Sequence, residues 1–304
     1  MGRILTSDLD LANHQGETFT KNIRGGVLSS LAPEAPEVKV GTTDHFTFTG
    51  TPKAQLVGEG AAKTSADDKP QKATTNTYKV QMTYRYSDEV KYADEDYQAG
   101  LVEGLANNIA TALQRALDLV AIHGINPATG NVAAVAHYFA KSGNGVGRVT
   151  ATANEDADID SMAAQLQGEG YTATGIGFDP DFAGKLARRR DNNGQKLYPE
   201  LGLGFNVTNF QGLAAASSDT VSGRQELPAV TTGDVRVRAI MGDFRAFKWG
   251  IARYVPLELI EYGNPDGLGD LKATNEVAIR AESIFGFAIF DPKAFSLLQT
   301  APAA

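Results

Sequence analysis

The feature that most constrains this chain is a long polar segment between two predicted strands. The segment Tyr78–Ser87 alternates strictly between apolar and polar residues, which predicts a half-buried strand. A shorter strand is predicted over Asp44–Thr49, where Phe46 and Phe48 share one face. The connection Gly50–Thr77 is polar and contains several Gly, Pro, Lys and Asp residues. Compact domains rarely contain structureless loops of this length.

Two interpretations of this connection differ in what they imply for function. It can be a disordered surface loop, or it can be an extended two-stranded finger that projects from its own domain. A finger of this kind has little core of its own, so packing on a neighbouring molecule would stabilise it. The second interpretation is the first indication of a protein that assembles with copies of itself.

A long amphipathic helix is predicted after the second strand, from Asp96 to His123. Apolar residues recur there at helical spacing, and His123 followed by Gly124 is typical of a helix C-terminus. Asp94 or Asp96 is expected to cap the N-terminus. At the standard rise, such a helix forms a rod of roughly 40 Å.

Residues 171–255 are predicted to form a second unit that mixes helix and strand. A strand is predicted over Thr172–Phe178. The pair Asp179 and Pro180 then predicts a helix start, with Asp179 as the cap.

Three consecutive arginines, Arg188, Arg189 and Arg190, are predicted to end this helix, where cations interact favourably with the helix dipole. Such a cluster also fits a phosphate or nucleic-acid contact. Asp191 follows directly, which favours a solvated helix end or salt bridges between subunits.

The last part of the chain predicts further strands. Val235, Val237 and Ala239 alternate with arginines. The segment Glu276–Phe290 alternates over a long face and predicts one long strand or two, before a last apolar segment at Ala294–Leu298.

Motifs that would carry catalysis or metal binding do not occur in the sequence. There is no Cys, and the four His residues are not spaced as a metal pair. The glycines of Gly143–Gly147 lack the context of a dinucleotide loop, so a turn is predicted. Alternating acids from Asp156 to Asp160 resemble a calcium loop, but Ser161 stands where that loop needs glycine, so an acidic helix start is predicted.

We therefore predict no catalytic, cofactor-binding or metal-binding residue. A soluble α/β enzyme with an unrecognised acidic site is kept as an outside alternative. The net charge of −8 disfavours tight binding of duplex DNA, which requires a basic surface.

Several segments, taken in order, carry a pattern known from one protein family. They are the polar finger with Gly58–Gly60 leading into Tyr78–Glu89, the helix that begins near Tyr97, Phe178–Leu186 followed by Arg190–Pro199, Gly242–Ile251, and Arg280–Phe295. In order and spacing, these segments resemble the major capsid proteins of tailed double-stranded DNA bacteriophages, and together they cover most of the chain.

The resemblance implies an α+β tailed-phage capsid shell fold. Residues 1–49 would form the N-terminal arm and first strand, and residues 50–77 the extended β-hairpin loop. Residues 78–170 with 256–304 would form a peripheral domain with the long helix as its spine. Residues 171–255 would form an axial α/β domain.

The resemblance also implies a function. The chain would be a major capsid protein that self-assembles into pentamers and hexamers of an icosahedral head enclosing double-stranded DNA. A bacterial encapsulin-like compartment shell, which encloses protein cargo, is the alternative within the same fold. The protein would be found in the virion capsid after assembly in the bacterial host cytoplasm.

Copies of the same chain are the principal partner that the resemblance implies. A scaffolding protein, a portal, a decoration protein and packaged DNA bound without sequence specificity are the others, and no membrane is expected. Because no scaffold-like segment precedes Met1, the scaffold is expected to be separate or already removed. Assembly contacts are expected at charged residues of the finger and of the arginine cluster. These are Glu59, Lys63, Asp67, Lys69, Arg188, Arg189 and Arg190.

Overall fold

The computed structural model describes most of the chain. The described residues form two sheets and four α-helices. The described residues are 25–35, 38–48, 53–60, 62, 70–92, 95–204, 206–227 and 236–301. Within them, the helices are α1 (Leu28–Leu31), α2 (Glu95–Asp118), α3 (Glu155–Gly168) and α4 (Pro180–Arg188). The strands are β1 (Thr42–Thr47), β2 (Gln71–Ser87), β3 (Gly147–Thr150), β4 (Gly175–Phe178), β5 (Asn209–Phe210), β6 (Leu213–Ser217), β7 (Val237–Gly242), β8 (Phe247–Ile260), β9 (Glu276–Ile289) and β10 (Phe295–Gln299).

The first sheet has four antiparallel strands in the order β1-β2-β9-β8. The predicted strand at Tyr78–Ser87 is confirmed, and its apolar side chains pack towards the core, where Tyr86 is buried. Strand β2 begins at Gln71, well before the predicted start, because its first residues pair with β1. Part of the predicted connection is therefore strand.

The long predicted helix is confirmed as α2, which packs on this sheet. Its residues Leu105 and Ile109 are buried against Val277 and Ile279 of β9. The helix continues as a π-helical turn over Leu119–His123.

The helix ends at Gly124, as predicted from the sequence. Its backbone is left-handed, with φ of 67°, and its amide bonds the carbonyl of Val120 at 3.0 Å. Asp94 and the side chain of Asp96, the predicted caps, lie outside the part that the structure describes.

The second sheet is mixed and has six strands in the order β3-β10-β7-β4-β6-β5. Helices α3 and α4 share one core with it, in which Met162, Phe178, Phe182 and Leu186 are buried. The acidic start predicted for α3 is confirmed, with Glu155, Asp156 and Asp158 in its first turn. Gly143 and Gly145 lie in the predicted turn before β3.

Each sheet takes strands from more than one of the predicted domains, whose boundaries stay a prediction. Strand β8, which lies mostly within residues 171–255, pairs with β9 of the first sheet. Strands β3 and β10 lie outside that segment but join the second sheet. The predicted strand at Thr172–Phe178 is shorter and spans Gly175–Phe178, and the long strand at Glu276–Phe290 is confirmed as β9.

Candidate assembly surfaces

Strands β1 and β2 form an antiparallel hairpin at the edge of the first sheet. The pairing runs from Thr42 opposite Asn76 to Thr47 opposite Gln71. This pairing covers only the last residues of the polar connection, and the described residues 53–60 contain no strand, so the choice between the two interpretations stays a prediction. Sequence alternation places every second residue of β1 on the same face, so the hairpin has two distinct faces.

The inner face of this hairpin packs on the rest of the molecule. The ring of His45 meets Phe290 edge to face, with 5.4 Å between centroids. Its Nε2 lies 2.9 Å from the hydroxyl oxygen of Thr75, which is buried beside Ala73. Contacts within the same chain therefore cover the inner face of the hairpin and supply a hydrogen-bond partner for His45.

The outer face carries exposed aromatic side chains. Phe46 is 72% exposed and Phe48 is 66% exposed. Beside them, Lys72 pairs with Asp44 at 2.7 Å, and bonds from Lys72 and Thr74 lower the pKa of Asp44. An aromatic surface bounded by charged groups is typical of a protein interface.

The four charged residues predicted as assembly contacts in the finger are only partly described. Glu59 is exposed in a turn near the end of the described part of the connection. Lys63, Asp67 and Lys69 lie outside the described residues. Nearby, Leu56 is fully exposed, which adds an apolar side chain to this end of the finger.

The predicted arginine cluster lies at the end of α4, which shares its core with the second sheet. Arg188 and Arg190 are exposed, and the Nη1 of Arg190 donates to the carbonyl of Gly194 at 2.7 Å. Arg189 instead bonds Asp156 and lies 3.5 Å from Glu155, both at the start of α3. The structure therefore uses Arg189 to join two helices of one chain, and leaves the other two at the surface.

The predicted helix start at Asp179 and Pro180 is confirmed, and Asp179 occupies the N-cap position, but its side chain does not act as the cap. Its side chain makes no capping hydrogen bond and is fully buried. It accepts bonds from the hydroxyl of Ser222 at 2.8 Å and from Arg224 and Arg238 at 3.0 Å each. Two arginines from segments distant in sequence therefore form ion pairs with the carboxylate of Asp179. A buried charge needs such ionic partners because it is removed from water.

A second buried group of charges joins helix α2 to the segment that follows β6. We call it the polar junction; it consists of Arg115, Asp118 and His123 with Asp219, Thr220 and Glu226. Burial opposes the charge on Arg115, but bonds to Asp219, at 2.7 Å, and Glu226 outweigh it and raise the pKa of Arg115.

Two further ionisable groups of the polar junction, Asp118 of α2 and His123 of the π-helical turn that follows, respond mainly to burial. Burial raises the pKa of Asp118, whose carboxylate accepts a bond from the Thr220 hydroxyl at 2.6 Å. Burial lowers the pKa of His123 to about 4, although its Nε2 lies 3.0 Å from the carbonyl oxygen of Thr220. Asp118 and Thr220 are fully buried, so their hydrogen bond connects α2 to the segment after β6 away from solvent.

A buried arginine fixes the loop between β8 and β9. Arg85 is 5% exposed and bonds Glu276 at 2.9 Å, Asp266, and the carbonyl of Gly269 at 3.0 Å. Desolvation raises the pKa of Asp266, but the guanidinium outweighs this and lowers it. The loop exposes Leu268, so the arginine holds an apolar surface in place.

The edge strand β8 carries a further apolar surface. Ile251 is 46% exposed and Leu259 is 52% exposed, and both stand opposite core residues of β9. Helix α2 packs against β2 and β9. Together with the hairpin, strand β8 gives the chain exposed apolar groups at both edges of the first sheet.

Within the described part of the chain, no three His, Asp or Glu side chains converge as a metal site. Among the same residues, no helix has the length and apolar character needed to cross a bilayer. The absence of a catalytic, cofactor or metal site stays a prediction.

Comparison with known proteins gives a consistent set of matches. The model of the phage capsid family matches residues 23–300. A chain in a solved structure of Mycobacterium phage Ogopogo is 38% identical with a TM-score of 0.84, over 97% of this chain and 99% of that one. A chain of Gordonia phage Cozz is 27% identical with a TM-score of 0.76, over 97% and 93%.

The same fold extends to more distant structures. The capsid of an empty GTA particle is 17% identical with a TM-score of 0.62, over 98% of both chains. No curated protein sequence matches this chain significantly.

Proposed function

The chain belongs to the phage capsid family and is a major capsid shell protein, and we propose that its copies form pentamers and hexamers of a closed icosahedral head. In this proposal the head encloses double-stranded DNA, and the subunits assemble in the host cytoplasm. No residue is assigned a catalytic role, in keeping with a structural protein.

The observation that carries the proposal is the exposed aromatic face of the hairpin. A Phe side chain that is buried fully contributes about 1.5–3 kcal/mol relative to an exposed one. Phe46 and Phe48 have most of this contribution still unused within their own chain. We infer that a neighbouring copy covers this face, so that the hairpin joins adjacent subunits.

Many modest contacts are sufficient for such a shell. Each subunit would use its hairpin, the exposed apolar residues of β8 and the loop at Leu268, and contacts that act together give high total affinity. The charged residues predicted earlier, Glu59 and the exposed Arg188 and Arg190, are proposed as polar contacts at the rims of these interfaces.

The remaining partners follow from the same proposal. The net charge of −8 fits a wall that encloses DNA without holding it tightly or reading its sequence. A separate scaffolding protein, a portal and a decoration protein are proposed as further partners.

Electron microscopy of the assembled protein tests this function. We expect closed shells of uniform size that contain nucleic acid, measured as the ratio of absorbance at the nucleic-acid and protein maxima. Shells that enclose a foreign enzyme instead of DNA would support the encapsulin-like alternative. A protein that stays monomeric at every concentration would contradict both.

A further inference from the structure

We propose that the segment before the hairpin acts as a strap that transmits the position of helix α2 to the hairpin. The strap is defined by its described residues, Gly25–Ala35 and Val38–Gly41. It contacts α2, β8, β9 and β2 in turn before it enters β1 at Thr42. The inference deepens the proposed function and rests on it, because it identifies what orients the hairpin.

The first anchor of the strap is the buried carboxylate of Asp118 at the end of α2. It accepts the amide of Val27 at 2.5 Å and the amide of Leu28 at 3.0 Å. A Cβ on Gly26 would lie 2.9 Å from the Asp118 carboxylate, so only glycine allows this approach. The side chains of Val27 and Leu28 are buried in the core beside the carboxylate.

The second anchor is Trp249 on the edge strand β8. Its indole Nε1 donates to the carbonyl of Ala32 at 3.2 Å, and its own carbonyl accepts the amide of Ala35 at 2.7 Å. Glu34 pairs with the same residue as a parallel bridge. The strap therefore occupies the open edge of β8 at this point.

The third anchor is a notch where the strap crosses the sheet. Gly250 of β8 stands directly opposite Gly286 of β9. A Cβ on Gly250 would lie 2.6 Å from Val38, and one on Gly286 would lie 3.0 Å from the same side chain. Neither glycine has a positive φ, so the backbone conformation does not require glycine at these positions. Glycine is required there because any larger side chain would occupy the space of Val38.

The fourth anchor ties the end of the strap to β2. The amide of Gly41 donates to the hydroxyl of Thr77 at 2.9 Å, and that hydroxyl lies 3.2 Å from the carbonyl of Gly41. Thr77 stands opposite Gly286, so the third and fourth anchors are neighbours. Strand β1 begins at the next residue.

The spacing of the anchors explains why the strap would control the hairpin. Strand β1 is an edge strand, and its position depends on its pairing with β2, on the contact of His45 with Phe290, and on the strap that leads into it. A strap held at both ends and at two points between them has little freedom to move independently. Loss of the anchor at Asp118 should therefore loosen β1, although Asp118 does not touch it.

Hydrogen exchange of the full chain tests this coupling with Asp118→Asn. The two backbone amides bond different oxygens of Asp118, and Asn replaces one of these oxygens with an NH2 group that cannot accept a bond, so the anchor weakens. We expect the amides of Thr42–Thr47 to exchange about tenfold faster or more. Asp158→Asn is the matched control, because Asp158 is also buried and bonded to backbone but lies in α3. Acceleration confined to Val27–Ala32 would overturn the proposal.

A second variant keeps the test independent of how Asp118→Asn folds. Gly250→Ala places a methyl group against Val38 and should accelerate exchange of Thr42–Thr47 to a similar extent. Gly168→Ala is its control, because a Cβ there meets open space. Unchanged exchange of β1 in Gly250→Ala would contradict the strap.

Electron microscopy of the same variants separates this inference from the proposed function. Accelerated exchange with defective shells supports both. Accelerated exchange with normal shells supports the strap and contradicts the role of the hairpin in assembly. Defective shells with unchanged exchange of β1 would contradict the strap alone.

Discussion

Replacing Phe46 and Phe48 together by alanine should weaken assembly without weakening the subunit. The two rings are 72% and 66% exposed in the single chain, so about two-thirds of their burial energy is still available. At about 1.5–3 kcal/mol for each fully buried Phe, the pair should contribute about 2–4 kcal/mol to contacts between copies. Such a loss lowers the association constant of one subunit by roughly 30- to 700-fold.

The assay is the protein concentration at which shells begin to form, followed by light scattering. We expect this concentration to rise clearly in the double variant, while thermal unfolding of the unassembled chain changes by less than about 0.5 kcal/mol. Thr42→Ala is the matched control, since Thr42 lies on the same exposed face without an aromatic ring. Assembly of the double variant at the wild-type concentration would refute the reasoning.

Three further predictions follow from the buried charges and from the finger. Arg85→Met should lower the free energy of unfolding by about 3–5 kcal/mol in urea titrations, because it leaves Glu276 buried without its cation; a loss under about 1 kcal/mol would contradict this. His123 has a pKa of about 4 when folded, so it binds protons more readily when unfolded, and stability should fall by on the order of 2 kcal/mol between pH 6.5 and pH 4. His123→Gln should flatten that dependence, and parallel curves for both proteins would argue against it. Deletion of residues 61–70 spares β1 and β2 and should give a soluble folded chain that forms no closed shells, whereas normal shells in electron micrographs would oppose this.

Local patterns in the sequence were sufficient for the long regular elements. The alternation at Tyr78–Ser87 and Glu276–Phe290 predicted β2 and β9, because each has one face against a core. The helical spacing before His123 and the glycine after it predicted α2 and its end. These elements follow from short-range periodicity, which a single sequence shows directly.

Strand β8 was missed because its pairing is irregular. Its register with β9 shifts between Ile251 and Arg253 and again between Val255 and Glu258. Each shift exchanges the faces on which residues lie, so the segment shows no continuous alternation. Strand β8 belongs to the first sheet because it pairs with β9, which lies later in the chain.

The buried charges were missed because their partners are distant in sequence. Asp118 bonds Thr220, which lies 102 positions away, and Arg85 bonds Glu276, which lies 191 positions away. Asp179 followed by Pro180 has the pattern of a helix cap, but tertiary contacts with two arginines replaced that role. Burial of a charged side chain is a tertiary property that no local pattern reports.

A cryo-electron microscopy map of assembled particles would show whether a second copy of the chain covers the outer face of the hairpin. We expect Phe46 and Phe48 to lie within about 4.5 Å of apolar side chains from an adjacent subunit. Rings that face solvent in every copy of a closed shell would contradict it.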